Sequence, residues 1–134
     1  MFAMNNSEKI IILPPLVLAF MGDAYWTLAM RRRLIIANPN QKVNILHANT
    51  TKHVSASAQS VFFEKISCVL TEAETAIAAR ARNAHNNTTP KNSTLADYKR
   101  ATAFEAVIGY NYLIGDNKRL EYFEELLTKG ENKC

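Results

Sequence analysis

Apolar side chains recur at intervals of three and four residues along most of the chain, and this spacing predicts helices. The first such run begins at Pro14 or Pro15, because proline is tolerated in a first helical turn. It ends near Ala37, before the proline-containing turn at 38–40. No segment shows the strict alternation of apolar and polar residues that marks a half-buried strand. The pattern therefore predicts an all-α domain.

Capping residues mark the starts of the later helices. Ser55 is a candidate N-cap, Thr71 and Glu74 match a capping box, and Thr94 can cap a long helix that Gly115 would end. Residues 85–93 are rich in Asn and Thr and are predicted to form a loop. The helices predicted after the first cover residues 43–49, a segment that starts near 55, and residues 72–84, 94–114 and 117–128.

Length and composition are typical of one folded domain. The chain has 134 residues, 48% of them hydrophobic, and only four glycines and four prolines, which favours long helices over a turn-rich sheet. We expect residues 1–13 to be a disordered or poorly ordered N-terminus, 14–128 to be the domain, and 129–134 to be a flexible tail. The apolar run at 10–20 is too short to span a bilayer.

The cysteines and histidines form no recognisable metal-ligand pattern. Cys68 lies in an apolar run and is predicted to be a small core residue, whereas Cys134 is the last residue of the chain. Two cysteines at this separation do not indicate a disulfide framework, so we expect a reducing compartment. His47 and His53 also match no ligand spacing and are interpreted as structural or surface residues.

Two carboxylates stand alone within apolar helical segments. Asp23 follows Gly22, and Glu105 lies four residues before Gly109, on the same helical face. An acid in an apolar helix is costly unless it is paired, solvated at a cleft or bound to a cation. If the two helices pack together, the carboxylates could share a Mg²⁺ ion, which takes oxygen ligands and keeps several waters.

A structural role stays open for both acids on these grounds alone. Asp23 could cap a helix after a glycine turn, and Glu105 could pair with Arg100 or another base, since ion pairs also explain buried charge. The net charge of +4 is weak evidence for a nucleic-acid partner. More specific is the cluster formed by Arg80, Arg82, His85 and Lys91, which could contact phosphates or could belong to a solvated loop.

Three segments together resemble a known family. Residues 20–24 (FMGDA) resemble the first signature of the ribonuclease III catalytic domain, and residues 104–109 (FEAVIG) resemble its second. Residues 82–84 (RNA) and 90–92 (PKN) resemble the loop of the mini-ribonuclease III branch, which lacks a C-terminal double-stranded RNA-binding domain. The order and separation of the segments agree as well, and the resemblance covers roughly residues 14–128.

The chain departs from the classical members of that family at two acidic positions. Ala19 stands four residues before Asp23, and Thr102 stands three residues before Glu105, where classical ribonucleases III carry acids. The mini branch lacks both acids too, so the departure supports that branch and leaves the number of metal ions open. The family's Lys after the Arg-Asn-Ala segment is replaced here by His85.

The resemblance implies an all-helical ribonuclease III-like bundle that acts as a symmetric homodimer. It implies Mg²⁺-dependent cleavage of double-stranded RNA, with Mn²⁺ as a substitute, to products that carry 5′-phosphates. Asp23 and Glu105 would be the catalytic and metal-binding residues, and Phe20 would pack into the partner subunit unless it is an ordinary core residue. The RNA-binding residues implied are Arg80, Arg82, Asn83, His85 and Lys91.

In family terms the substrate would be precursor ribosomal RNA, in a bacterial cytoplasm or an organelle of bacterial ancestry, with no membrane involved. The alternative is a non-catalytic, ribosome-associated double-stranded RNA-binding module of the same fold. Loss of either carboxylate would indicate that module, and both are present. A third hypothesis is a helical adaptor that binds no RNA. Such a protein would show no salt-dependent binding to a duplex.

Overall fold

The computed structural model describes residues 7–84, 94–130 and 134. No strand occurs among these residues, which confirms the predicted all-α class. A 3-10 turn at Ser67–Val69 joins two of the helices, and none of the described helices is both long and apolar enough to cross a membrane. The helices are α1 (Ser7–Ile11), α2 (Pro15–Ala37), α3 (Val43–Val54), α4 (Ala56–Ile66), α5 (Glu72–Arg82), α6 (Leu95–Leu113) and α7 (Asn117–Thr128).

Helix α6 forms the centre of the domain, and α2, α4 and α5 pack around it. Its residues from Ala101 to Ala106 and on to Asn111 are buried with the exception of Glu105, which is only partly buried. Trp26 of α2 and Phe104 of α6 meet edge to face, with ring centroids 4.9 Å apart. This aromatic contact lies next to the position of Glu105 in the chain.

Local sequence signals set most helix boundaries. Ser55 caps α4, Thr71 and Glu74 form the complete capping box of α5, and Thr94 accepts a hydrogen bond from the Asp97 amide at the start of α6. Gly115 has a φ of +78°, and its amide bonds to the Tyr112 carbonyl oxygen in a Schellman-type end to α6. The predicted starts of these helices are confirmed.

Helix α3 is longer than its sequence predicted, since it continues from residue 49 to Val54. The added turn carries threonines, which are mediocre helix formers. Thr50 is buried and donates from its hydroxyl to the Leu46 carbonyl oxygen, and the Trp26 indole donates to the His53 carbonyl oxygen. Tertiary contacts thus extend α3 beyond its local propensity.

The N-terminal segment, for which we expect poor order, includes a short helix. Residues 7–11 form α1, and Ile10 is buried in the core. The Arg80 guanidinium donates to the carbonyl oxygens of Ile11 and Leu13, at 2.6 and 2.8 Å. A buried apolar anchor and two charge-assisted hydrogen bonds hold this segment against the domain. Residues 1–6 lie outside the described part of the chain.

Cys68 is exposed and is joined to Cys134 by a disulfide, so the prediction of a core cysteine was wrong. Cys68 lies in the 3-10 turn after α4, and the bond brings residue 134 to that turn across a sequence separation of 66. The spacing of the two cysteines did not indicate this disulfide, because the bond depends on how the fold places residue 134 beside the turn. Of the expected flexible tail, residues 131–133 lie outside the described part of the chain.

Candidate catalytic site

The site is built where α2 crosses α6, and two glycines allow the helices to touch. A Cβ placed on Gly22 would overlap the backbone carbonyl of Glu105, and one placed on Gly109 would overlap the backbone carbonyl of Leu18. The two backbones are therefore in direct contact, with no room for a side chain between them. Because Asp23 follows Gly22 and Glu105 itself contacts Gly22, this crossing brings the two carboxylates together.

Asp23 and Glu105 interact with each other and differ in exposure. Asp23 is exposed, whereas Glu105 is partly buried. Burial raises the pKa of Glu105 to about 9, and a hydrogen bond to the Asp23 carboxyl together with its negative charge acts in the same direction. The neighbouring Gln59 side chain lowers that pKa by a smaller amount. Without a cation, the Glu105 carboxyl therefore keeps its proton at neutral pH.

The purely structural roles considered for these acids do not fit the described residues. Asp23 lies in the interior of α2, so it does not cap a helix. Arg100 pairs with Asp97 at 3.2 Å and with Glu64 at 3.3 Å, and none of the ion pairs found in the described ranges involves Glu105. A pair of acidic side chains in helix interiors without a basic partner is typical of a site that binds a cation.

Gln59 is a member of the site that the sequence did not reveal. Its side chain is 2% exposed, and its Nε2 has no hydrogen-bond partner among the described residues. It lies on the face of α4 that also carries Phe62 and Phe63 and packs against α6. The only sequence signal was a polar residue on an otherwise apolar face, which is common in helices.

The side chains present fit a hard divalent cation. Two carboxylates, with an amide beside them, are the oxygen-bearing groups that Mg²⁺ and Mn²⁺ prefer. No group of three or more His, Cys, Asp or Glu side chains suited to a metal was found in the described ranges, so a cation here would complete its shell with water or phosphate.

The predicted RNA-binding residues are only partly visible. Arg82 ends α5 and Asn83 follows it, and both side chains are exposed. Arg80 is exposed but holds the Ile11 and Leu13 carbonyls, so it could contact RNA only through its remaining N–H groups. His85 and Lys91 lie outside the described residues.

Arg32 and Arg33, near the end of α2, are paired with acidic side chains. Arg33 donates to Glu124 at 2.9 Å and to Glu125 at 3.2 Å, and Arg32 lies 3.3 Å from Glu124. Glu124 is buried and also accepts from the Tyr25 hydroxyl at 2.6 Å. This network joins α2 to α7, so the arginines at 32 and 33 stabilise the fold.

Phe20 is not a core residue of this chain, since the residue is 79% exposed. It belongs to an exposed apolar stripe along α2, which we call the α2 stripe. Asp23 follows Phe20 by three residues and therefore lies at the border of this stripe. The α2 stripe consists of Leu16, Val17, Phe20, Ala24 and Leu28.

Comparison with known proteins gives the family. Residues 16–116 match the model of the Ribonuclease III domain. The chain belongs to the ribonuclease III family. Within that family it is similar to the Mini-ribonuclease 3 of Thermoanaerobacter sp. (strain X514), with 46% identity over 90% of this chain and 84% of the relative. The Mini-ribonuclease 3 of Clostridium tetani is 42% identical over 88% of this chain and 84% of that one.

A solved structure agrees with this assignment. The crystal structure of a protein from Fusobacterium nucleatum has a TM-score of 0.82 and 33% identity to this chain, and the match covers 89% of this chain and 94% of that one. The predicted membership of the mini-ribonuclease III branch is confirmed, and the chain is a ribonuclease III-family endoribonuclease. The ribonuclease III family acts on double-stranded RNA and generally depends on divalent metal ions.

Proposed function

We propose that this endoribonuclease cleaves double-stranded RNA with a divalent cation, Mg²⁺ or Mn²⁺ in its place, held by Asp23 and Glu105. The observation that carries the proposal is the contact between these two carboxylates at the glycine crossing of α2 and α6, without an ion pair to a base among the described residues. A cation between them would replace the shared proton and offset their mutual repulsion.

Each side chain has a distinct part in the reaction. Asp23 is exposed and would hold the cation from the solvent side, whereas the partly buried Glu105 would hold it from the protein side. When bound, the cation supplies Lewis-acid activation of the phosphodiester and of the attacking water. Attack in line with the leaving 3′ oxygen gives products with 5′-phosphates.

The exposed residues at the end of α5 support a duplex-binding surface. Arg82 and Asn83 can donate to phosphate and ribose oxygens without reading the base sequence. Arg80, His85 and Lys91 stay predictions of the same surface. Binding through such contacts weakens steeply as the salt concentration rises.

The α2 stripe supports a homodimer. Five exposed apolar residues lie on one side of this helix, and Phe20 among them is 79% exposed, so covering this surface lowers the free energy. Pairing of two α2 stripes about a two-fold axis would place an Asp23–Glu105 site on each side of the interface. Each site could then act on one strand of a duplex.

The substrate and location that we propose are precursor ribosomal RNA and the bacterial cytoplasm. The similarity to mini-ribonucleases of bacteria, such as those of Thermoanaerobacter and Clostridium tetani, supports a bacterial location, and the substrate is the one that the family resemblance implies. The presence of both carboxylates argues against a non-catalytic RNA-binding module, because such a module has no need of a paired acid site.

The test is cleavage of a blunt double-stranded RNA in Mg²⁺ by the wild type, Asp23→Asn and Glu105→Gln, with EDTA as a second condition. The exposed acid Glu121 provides the control variant Glu121→Gln. We expect EDTA to stop cleavage, each site variant to lose at least about a hundredfold of the rate, and the control to match the wild type. Cleavage that survives both site substitutions would contradict the proposal, and duplex binding without cleavage by the wild type would favour the RNA-binding module.

A further inference from the structure

A buried amide with an unpaired nitrogen lies beside the carboxylate pair. Gln59 is 2% exposed, and its Nε2 has no hydrogen-bond partner among the described residues. A buried amide donor that stays unpaired costs about 1 to 3 kcal/mol. The protein therefore carries an amide at a position where an apolar side chain of the same size would be more stable.

The surroundings of Gln59 point to one acceptor. Phe62 and Phe63 follow it by one helical turn on the same face of α4, and Phe62 packs against Phe104, the residue before Glu105. The Gln59 amide interacts with the Glu105 carboxyl and lowers its pKa. The two groups are therefore neighbours, although the Nε2 does not complete a hydrogen bond while Glu105 is bonded to Asp23.

We propose that Gln59 is a positioning residue of the metal site, whose Nε2 donates a hydrogen bond to the Glu105 carboxylate when that carboxylate holds the divalent cation. This inference rests on the proposed function. A carboxylate ligand has more lone pairs than one cation uses, and a donor on the remaining oxygen fixes its orientation. Gln59 also lies too deep to contact RNA, so it acts through Glu105.

The test uses Gln59→Met, which keeps the length of the side chain and removes the amide, with Gln59→Leu as a second variant if the first does not fold. Thr50→Val is the matched control, because Thr50 is also a buried polar residue but bonds to the Leu46 carbonyl of its own helix. Mn²⁺ binding is measured without RNA by the loss of the free-ion signal in electron paramagnetic resonance. The thermal midpoint of the cation-free protein and the KM for RNA at saturating Mg²⁺ are measured in parallel.

We expect Gln59→Met to weaken Mn²⁺ binding by roughly 10- to 100-fold and to raise the Mg²⁺ concentration for half-maximal cleavage by a similar factor. The thermal midpoint should stay the same or rise, and the KM for RNA should not change. A lower midpoint with unchanged Mn²⁺ affinity would assign Gln59 a structural role and overturn the inference. The control should match the wild type in Mn²⁺ affinity.

Mn²⁺ binding by the wild type distinguishes a failure of the proposed role of Gln59 from a failure of the proposed metal site. Mn²⁺ binding that is present in the wild type, lost in Asp23→Asn and unchanged in Gln59→Met would retain the site and reject the role of Gln59. No Mn²⁺ binding by the wild type would overturn both statements together.

Discussion

Gly22 and Gly109 determine how closely the two catalytic helices approach, and so determine the distance between the carboxylates. A methyl group on either glycine would overlap a backbone carbonyl of the opposite helix, which no change of rotamer can relieve. Helix propensity alone favours alanine over glycine by about 1 kcal/mol in a helix interior. Close packing therefore outweighs propensity at these positions.

Gly22→Ala is expected to destabilise the protein by at least about 3 kcal/mol, opposite in sign to the change that helix propensity predicts. The measurement is the free energy of unfolding in urea. Ala79→Gly on the exposed face of α5 is the control and should cost only about 1 kcal/mol. A stable Gly22→Ala protein with wild-type activity would show that α2 and α6 do not cross at this point.

The residues of the candidate site differ in how far the sequence could predict them. Asp23 and Glu105 could be identified because each is an isolated acid beside a glycine in an apolar segment, and the structure brings the two together. Gln59 could not, because one amide on a helix face carries no chemical signature. The contacts of Arg80 with Ile11 and Leu13 join parts of the chain that are remote in sequence, so no local pattern shows them.

At the scale of elements, a buried ion pair holds the start of α5 against α6 and α7. Glu74 is 1% exposed and accepts from the Arg119 guanidinium at 2.6 Å, from the Thr71 amide and from the Asn111 side chain. Burial raises the pKa of Glu74, but these hydrogen bonds and the charge of Arg119 outweigh it, so the net pKa lies below its ordinary value of 4.5.

This network predicts a loss of stability in acid. The folded-state pKa of Glu74 lies below the unfolded value, so its contribution is complete above about pH 4.5 and is lost as the pH falls through the lower folded-state value. Glu74→Gln should lower the free energy of unfolding at pH 7 by roughly 3 kcal/mol and flatten its decline between pH 5 and 3. Urea unfolding across this range measures both, with the exposed Glu72→Gln as control. Parallel curves for Glu74→Gln and the wild type would contradict this role.

Capping signals could be predicted from the sequence, and partners distant along the chain could not. The boundaries of α7 agree with the prediction, and the Thr71–Glu74 capping box is complete. Glu74 also pairs with Arg119 of α7, and this contact depends on the fold because the two residues lie 45 positions apart in the chain. The disulfide of Cys68 and the burial of Glu124 are long-range features of the same kind.

At the scale of the whole molecule, the described chain leaves the α2 stripe uncovered beside Asp23 and Glu105. Helix α2 is apolar on most sides, which is typical of a helix that packs against neighbours on more than one side. The domain covers the side that carries Leu18 and Trp26 and leaves the side that carries Phe20 exposed. A second copy of the chain would cover the exposed side.

If two copies pair through the α2 stripe as proposed, Phe20→Arg is expected to leave the protein monomeric at micromolar concentration, measured by analytical ultracentrifugation. The domain itself should stay folded, because an exposed residue contributes little to its stability. Ile36→Arg is the control, since Ile36 is also exposed but lies on the opposite side of α2. A wild type that is monomeric, or a Phe20→Arg variant that stays dimeric, would contradict pairing through the α2 stripe.

The most direct measurement of the proposed metal centre is anomalous diffraction from a crystal of the protein soaked in Mn²⁺. We expect a peak about 2.0 to 2.2 Å from carboxylate oxygens of both Asp23 and Glu105. The same soak of a Glu105→Gln crystal should lack this peak or show it much weakened. A peak bound elsewhere, or a vacant space between the two carboxylates at saturating Mn²⁺, would contradict the conclusion that this pair holds the catalytic cation.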